Sequence, residues 1–130
     1  MSGGGRASGR AGGSSVRGMA ILKGSEKQVE WATQIRTTTN DALNESIAFA
    51  KSQTSKMGEA RVKAAIDWAE KAKHEINSTT SASELIDTIG VYIGSNTGER
   101  AKQTALLGIT RTLQNGTGDL AKRLKKARGV

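Results

Sequence analysis

The chain contains no cysteine and no proline. Without cysteine there is no disulfide framework and no thiolate metal site, a composition that fits a reducing cytoplasm. Without proline the strongest helix breaker is absent, which favours an α-helical reading. Long apolar runs are lacking too, so no membrane span is expected. The arginines near the start are not followed by an apolar h-region, so no secretory signal is expected. Aromatic side chains are scarce: Trp31, Phe49, Trp68 and Tyr92 are the whole set. A core built from this chain must rest on Leu, Ile, Val and Ala and must be small.

What the chain does have is positive charge, +8 in total, and its distribution is uneven. Residues 1–24 carry Arg6, Arg10, Arg17 and Lys23 with no acid, giving +4. Residues 25–115 hold equal numbers of bases and acids and are neutral. Residues 116–130 carry Lys122, Arg123, Lys125, Lys126 and Arg128 against Asp119, giving +4 again. The whole excess therefore sits at the two ends of a neutral middle. That pattern suits anchors for a polyanion better than a generally basic surface would.

The pattern along the chain divides it into three parts. Residues 1–18 are rich in Gly, Ser and Arg and offer too little apolar surface to offset the entropy of ordering, so a disordered basic tail is predicted there. Residues 19–115 form the predicted helical domain, and residues 116–130 a basic C-terminal helix. Met19 to Leu22 either run extended into the body or pack on it. Ser25-Glu26-Lys27-Gln28 is a capping box, and Val29, Trp31, Ala32, Ile35, Ala42, Leu43, Ile47, Phe49 and Ala50 follow at helical spacing. Thr37-Thr38-Thr39-Asn40 is a weak helix stretch, because β-branched side chains lose rotamer freedom there. Either the helix runs on to about Ser55, the favoured reading, or Asn40 caps a second one. After Gly58 a helix over 59–77 presents Val62, Ala65, Ile66, Ala69, Ala72 and Ile76, with Trp68 on its flank. Ser81-Ala82-Ser83-Glu84 is a second capping box, opening a short helix that buries Leu85, Ile86, Ile89 and Ile93. A helix over 99–114 uses Ala101, Ala105, Leu106, Ile109 and Leu113. A hairpin is the alternative there, since Ile109 to Leu113 alternates and Asn115-Gly116 is a strong turn signal. Asp119 to Arg128 reads as a basic amphipathic helix. The expected fold is all-α, a small bundle of four to five helices behind the tail.

The catalytic inventory is thin. His74 is the only histidine and lies in Lys73-His74-Glu75 on the polar side of its helix, as a solvated residue would. No HExxH, CxxC or comparable metal spacing is present, so no metal site and no cofactor are expected. The acids alternate with bases, as on a solvated helix face. Gly90 to Arg100 superficially resembles a phosphate loop, but the lysine followed by Ser/Thr is missing, and it reads as a helix–helix turn. The basic ends are the stronger signal. Arg6, Arg10 and Arg17 can pair with phosphates or stack on bases; a purely solubilising tail is the bland alternative. The segment Lys122, Arg123, Lys125, Lys126 and Arg128 can lie along phosphates, sit on an anionic membrane surface or simply expose its charges. With only Leu120 and Leu124 to insert, the membrane reading is the weakest.

Leu22 to Arg36 resembles the GSEKQxxWAxxIR opening of uncharacterised small proteins of phages, plasmids and related mobile elements, some with a Gly/Arg-rich start. Ser81 to Asp87 is similar to an ASxLID helix in small helical modules that accompany DNA-processing proteins, including tails of some bacterial topoisomerases. The resemblance implies a mobile-element setting more than an activity, and a cytoplasmic location in a bacterial host cell is expected. The first expectation is therefore a small protein binding nucleic acid or a nucleoprotein through its two charged ends, without sequence specificity. The alternative is a phage-encoded inhibitor of a host defence system, anti-CRISPR-like, acting on a host protein with Trp31 or Trp68 as anchors. An enzyme is not expected.

Overall fold

The computed structural model describes residues 19–129. The predicted tail, with Arg6, Arg10 and Arg17, lies outside the described residues. The all-α expectation holds: among the described residues there is no β-strand, only an isolated parallel bridge between Lys23 and Ser81.

Helix α1, Glu26–Ser52, opens as its capping box requires. The Gln28 amide donates to the Ser25 hydroxyl at 3.1 Å, and the Ser25 amide donates to Gln28 Oε1 at 3.0 Å. The helix runs straight through Thr37 to Asn40. Burial and side-chain bonds override weak propensity there: Thr39 is buried and donates back to the Ile35 carbonyl of its own helix, while Asn40 Nδ2 donates to the Arg36 carbonyl, also within α1, and across to Asn77 Oδ1. A one-turn helix α2, Thr54–Met57, leads to Gly58, whose φ of 90° turns the chain into α3, Glu59–Ser78. Helix α3 buries Val62, Ala69, Ala72 and Ile76 along one stripe.

The next rod is composite. Helix α4, Ala82–Leu85, continues through a π-helical turn, Ile86–Gly90, into α5, Val91–Ile93. In a 3.6-residue helix, side chains four apart drift around the axis, and a wider π turn reverses part of that drift. Leu85, Ile89 and Ile93 consequently all stay on the core side, while Ile86 is only half-buried. Gly90 lies where the rod crosses α1; a Cβ there would come within 2.6 Å of Ile35 Cδ1. Helix α6, Gly98–Asn115, replaces the hairpin alternative, and Ala101, Ala105, Gly108, Ile109 and Thr112 form its buried stripe. Helix α7, Asp119–Arg128, buries Leu120, Ala121 and Leu124 and ends at Gly129 in the left-handed conformation.

Helix α1 is the hub, packed against α3, α6 and the composite rod, while α7 packs on α3 and touches α6. Alanines at 32, 42, 69, 72, 82, 101 and 105 are buried and let the helices approach closely. Lys102 ties α6 to α1 by pairing with Glu45 and with Glu99; these bonds, Glu45's first, hold its pKa above the ordinary lysine value. Besides Ile86, a second apolar residue of the predicted helices lies outside the core. Phe49 is 65% exposed, beside the groove between α1 and α6 rather than in the core. Val91, Tyr92 and Leu107 are exposed as well.

Candidate polyanion-binding surface

Helix α7 is seated by its neighbours. Its N-cap residue, Gly118, has no side chain to offer, and the Leu120 amide donates instead to Glu84 Oε2 at 2.7 Å. Ser81 does cap its own helix, accepting from the Glu84 amide at 3.2 Å. The Glu84 carboxylate, which a capping box would turn back on Ser81, is spent on α7.

The five bases of α7 divide by what they touch. Arg123 donates from Nε to Asp119 at 2.8 Å, from Nη1 to both the carbonyl and the carboxylate of Glu75 at 2.9 Å, and from Nη2 to the Thr79 hydroxyl at 2.8 Å. Burial, the largest single influence, lowers its pKa, but the bonds and charges of Glu75 and Asp119 outweigh it and leave the pKa raised. Lys125 donates to the Gly116 carbonyl at 2.6 Å. Arg128 lies 5.4 Å from the centroid of the Trp68 ring. Lys122 and Lys126 are exposed and, among the described residues, make no ion pair. They stand four residues apart on the outer face of α7. Of the expected C-terminal contacts, Arg123 therefore serves chiefly as a clamp, while Lys122 and Lys126 are open and Arg128 is exposed beside Trp68.

At the other end, the segment that follows the tail is docked. The Ala20 amide donates to the Asn77 carbonyl at 2.7 Å, the Lys23 amide to the Thr80 carbonyl at 2.7 Å, and the Ala82 amide to the Lys23 carbonyl at 2.9 Å. Leu22 is buried. Arg36 holds this strap from beneath. It is 6% exposed, donates to the Ala20 carbonyl at 2.9 Å and to the Thr79 carbonyl at 2.7 Å, and among the described residues pairs with no carboxylate. Burial pushes its guanidinium below the ordinary arginine value.

Arg36, which holds the strap, and Arg123 of α7 meet at Thr79. Its carbonyl takes Arg36, and its hydroxyl takes Arg123 while donating to the Glu75 carbonyl at 2.9 Å. The last turn of α3 contains no base of its own. Helix C-terminal carbonyls attract cations, and here α1 and α7 each supply one. Met19, to which residues 1–18 attach, thus begins next to the C-terminal end of α3, where α7 also docks. Sequence reasoning did not single out Arg36. The signal was present: Ala32, Ile35, Arg36, Thr39 and Leu43 share one buried helical face, so an arginine stood in an apolar stripe.

Both tryptophans are half-buried against the core, so each offers a partner only part of its ring. His74 is exposed, and among the described residues no group of three or more His, Cys, Asp or Glu converges as a metal site would require. No described helix is long and apolar enough to cross a membrane. Compared with protein-family models, with curated proteins and with solved structures, the chain matches none.

Proposed function

We propose that this is a small phage or mobile-element protein that grips nucleic acid, or a nucleoprotein, through phosphate contacts without sequence specificity, in the cytoplasm of a bacterial host. The observation that carries the reading is the meeting of the two ends. The strap that follows the basic tail is bonded to Asn77, Thr80 and Ala82, and the basic helix α7 is bonded to Glu75 and Thr79. The attachment point of residues 1–18 and the basic helix α7 thus lie at one end of α3, with a neutral body behind them. Lys122 and Lys126 supply phosphate contacts from a rigid helix, and Arg6, Arg10 and Arg17 extend them.

The test is binding of a random-sequence DNA duplex across a salt series. Each phosphate contact contributes about 0.9 to the slope of log affinity against log salt. Lys122→Ala with Lys126→Ala is expected to flatten the slope by roughly 2 units without altering the helical circular dichroism. No binding even at low salt would overturn the reading. It would favour the second one, an anti-defence inhibitor that binds a host protein, for which the exposed Phe49, Val91, Tyr92 and Leu107 supply apolar contact surface.

A further inference from the structure

Between α3 and α7 lies an open cleft of about 340 Å³ lined by Met57, Arg61, Ala64, Ala65, Trp68 and Arg128. Its volume falls at the small end of the range for ligand pockets, about 300–1,000 Å³. The α3 residues form one helical stripe: Arg61 stands seven positions, two turns, before Trp68, and Ala64 and Ala65 between them are too small to fill the space. Helix α3 is also rich in acids, yet none of Glu59, Asp67, Glu70 and Glu75 lines the cleft. Two guanidiniums therefore share it with no carboxylate, and among the described residues neither makes an ion pair. Arg128 is exposed, sits at the last position of α7 and is followed by Gly129 with a φ of 87°. Its place over the indole is thus held by a terminal side chain, not by a packed element.

We propose that this cleft is a subsite for one nucleotide of a single strand, its base against the Trp68–Arg128 pair and its phosphate on Arg61 and Arg128. The inference rests on the phosphate-gripping reading above and narrows it. Phosphate contact alone does not distinguish single strands from duplex. A flat indole edged by guanidiniums does, because a base exposes its π-face only when it is unstacked. Arginine stacks on an indole and on a base for the same reason, its planar delocalised charge. The Arg128–Trp68 arrangement in the cleft is therefore one that a base can join or replace.

The experiment uses the full chain carrying Trp31→Phe, so that Trp68 is the only tryptophan. It is titrated at low salt with oligo-dT, with a DNA duplex of equal length and with inorganic polyphosphate, which has the charge but no bases. Binding is followed by competition against a labelled oligonucleotide, and Trp68 by its emission. Oligo-dT is expected to quench Trp68 in step with binding, whereas duplex and polyphosphate bind without comparable quenching. Arg61→Ala and Arg128→Ala are each expected to weaken oligo-dT binding about tenfold, the order found for removal of one stacking or phosphate interaction, with unchanged helical content. Equal Trp68 response to all three polyanions would overturn the subsite and leave the phosphate reading standing. So would undiminished binding by both arginine variants, and the Arg128–Trp68 contact would then only secure α7. If none of the three polyanions binds, both readings fall.

Discussion

Among the described residues Arg36 has carbonyl oxygens, not a carboxylate, for partners, and its Nε and the neighbouring Asn40 Oδ1 are buried without a hydrogen bond. A charged group in that position is costly to desolvate, and what offsets the cost is two charge-assisted bonds to carbonyls that would otherwise be unpaired. Arg36→Ala removes the charge but strands the Ala20 and Thr79 carbonyls. At about 1–3 kcal/mol for each unsatisfied buried group, less the desolvation cost avoided, the variant is expected to be about 2 kcal/mol less stable in urea unfolding. The loss should be local first: the Lys23 amide, bonded to Thr80, is expected to exchange its hydrogen faster than amides in α1. An unchanged unfolding midpoint would mean that Leu22 and the main-chain bonds hold the strap without Arg36. At this scale the sequence was partly legible. An arginine inside an apolar stripe could be seen, but its partners could not, because main-chain carbonyls from residues 16 and 43 positions away leave no mark on local pattern.

The helices themselves were the most legible part. Both capping serines start helices at Ser25 and Ser81 because a hydroxyl before an apolar-periodic run satisfies amides that the helix cannot. Helix α7 begins and ends where its amphipathic pattern does. Three features escaped. The π turn at Ile86–Gly90 arises from fitting Leu85, Ile89 and Ile93 to one core. Phe49 keeps helical spacing but lies beyond the surfaces that pack on α1. Glu84 had the right position for a reciprocal cap on Ser81 and turned instead to Leu120, a choice made by tertiary proximity. These assignments separate two substitutions that look alike in sequence. Ser81→Ala should cost about 1 kcal/mol through the missing cap. Glu84→Ala should cost a similar amount, but the damage should appear as faster hydrogen exchange in α7, at Leu120 to Leu124, and not in α4. Equal protection of α7 in both variants would refute the cross-helix cap.

At the scale of the whole molecule, charge told where to look but not what the charges do together. A +4 at each end of a neutral middle was plain. That the strap and α7 both dock at the C-terminal end of α3 and the residues just after it depended on packing, on α7 lying along α3 and on a strap running beside residues 77–82. Packing also changed the roles within the basic cluster: Arg123 became a clamp, Lys125 a cap on a loop carbonyl and Arg128 a partner for Trp68, leaving Lys122 and Lys126 open. Removing residues 1–18 takes away Arg6, Arg10 and Arg17 and leaves every residue of the helical core in place. Its thermal unfolding is therefore expected to match that of the full chain. The measurement that bears most directly on the account is the salt dependence of DNA binding by the full chain and by this truncated form. On a DNA duplex the truncated form should bind with a slope of log affinity against log salt that is flatter by up to about 3 units, because each arginine neutralises one phosphate. An identical slope for the two forms would contradict the claim that the two basic ends act together on phosphate.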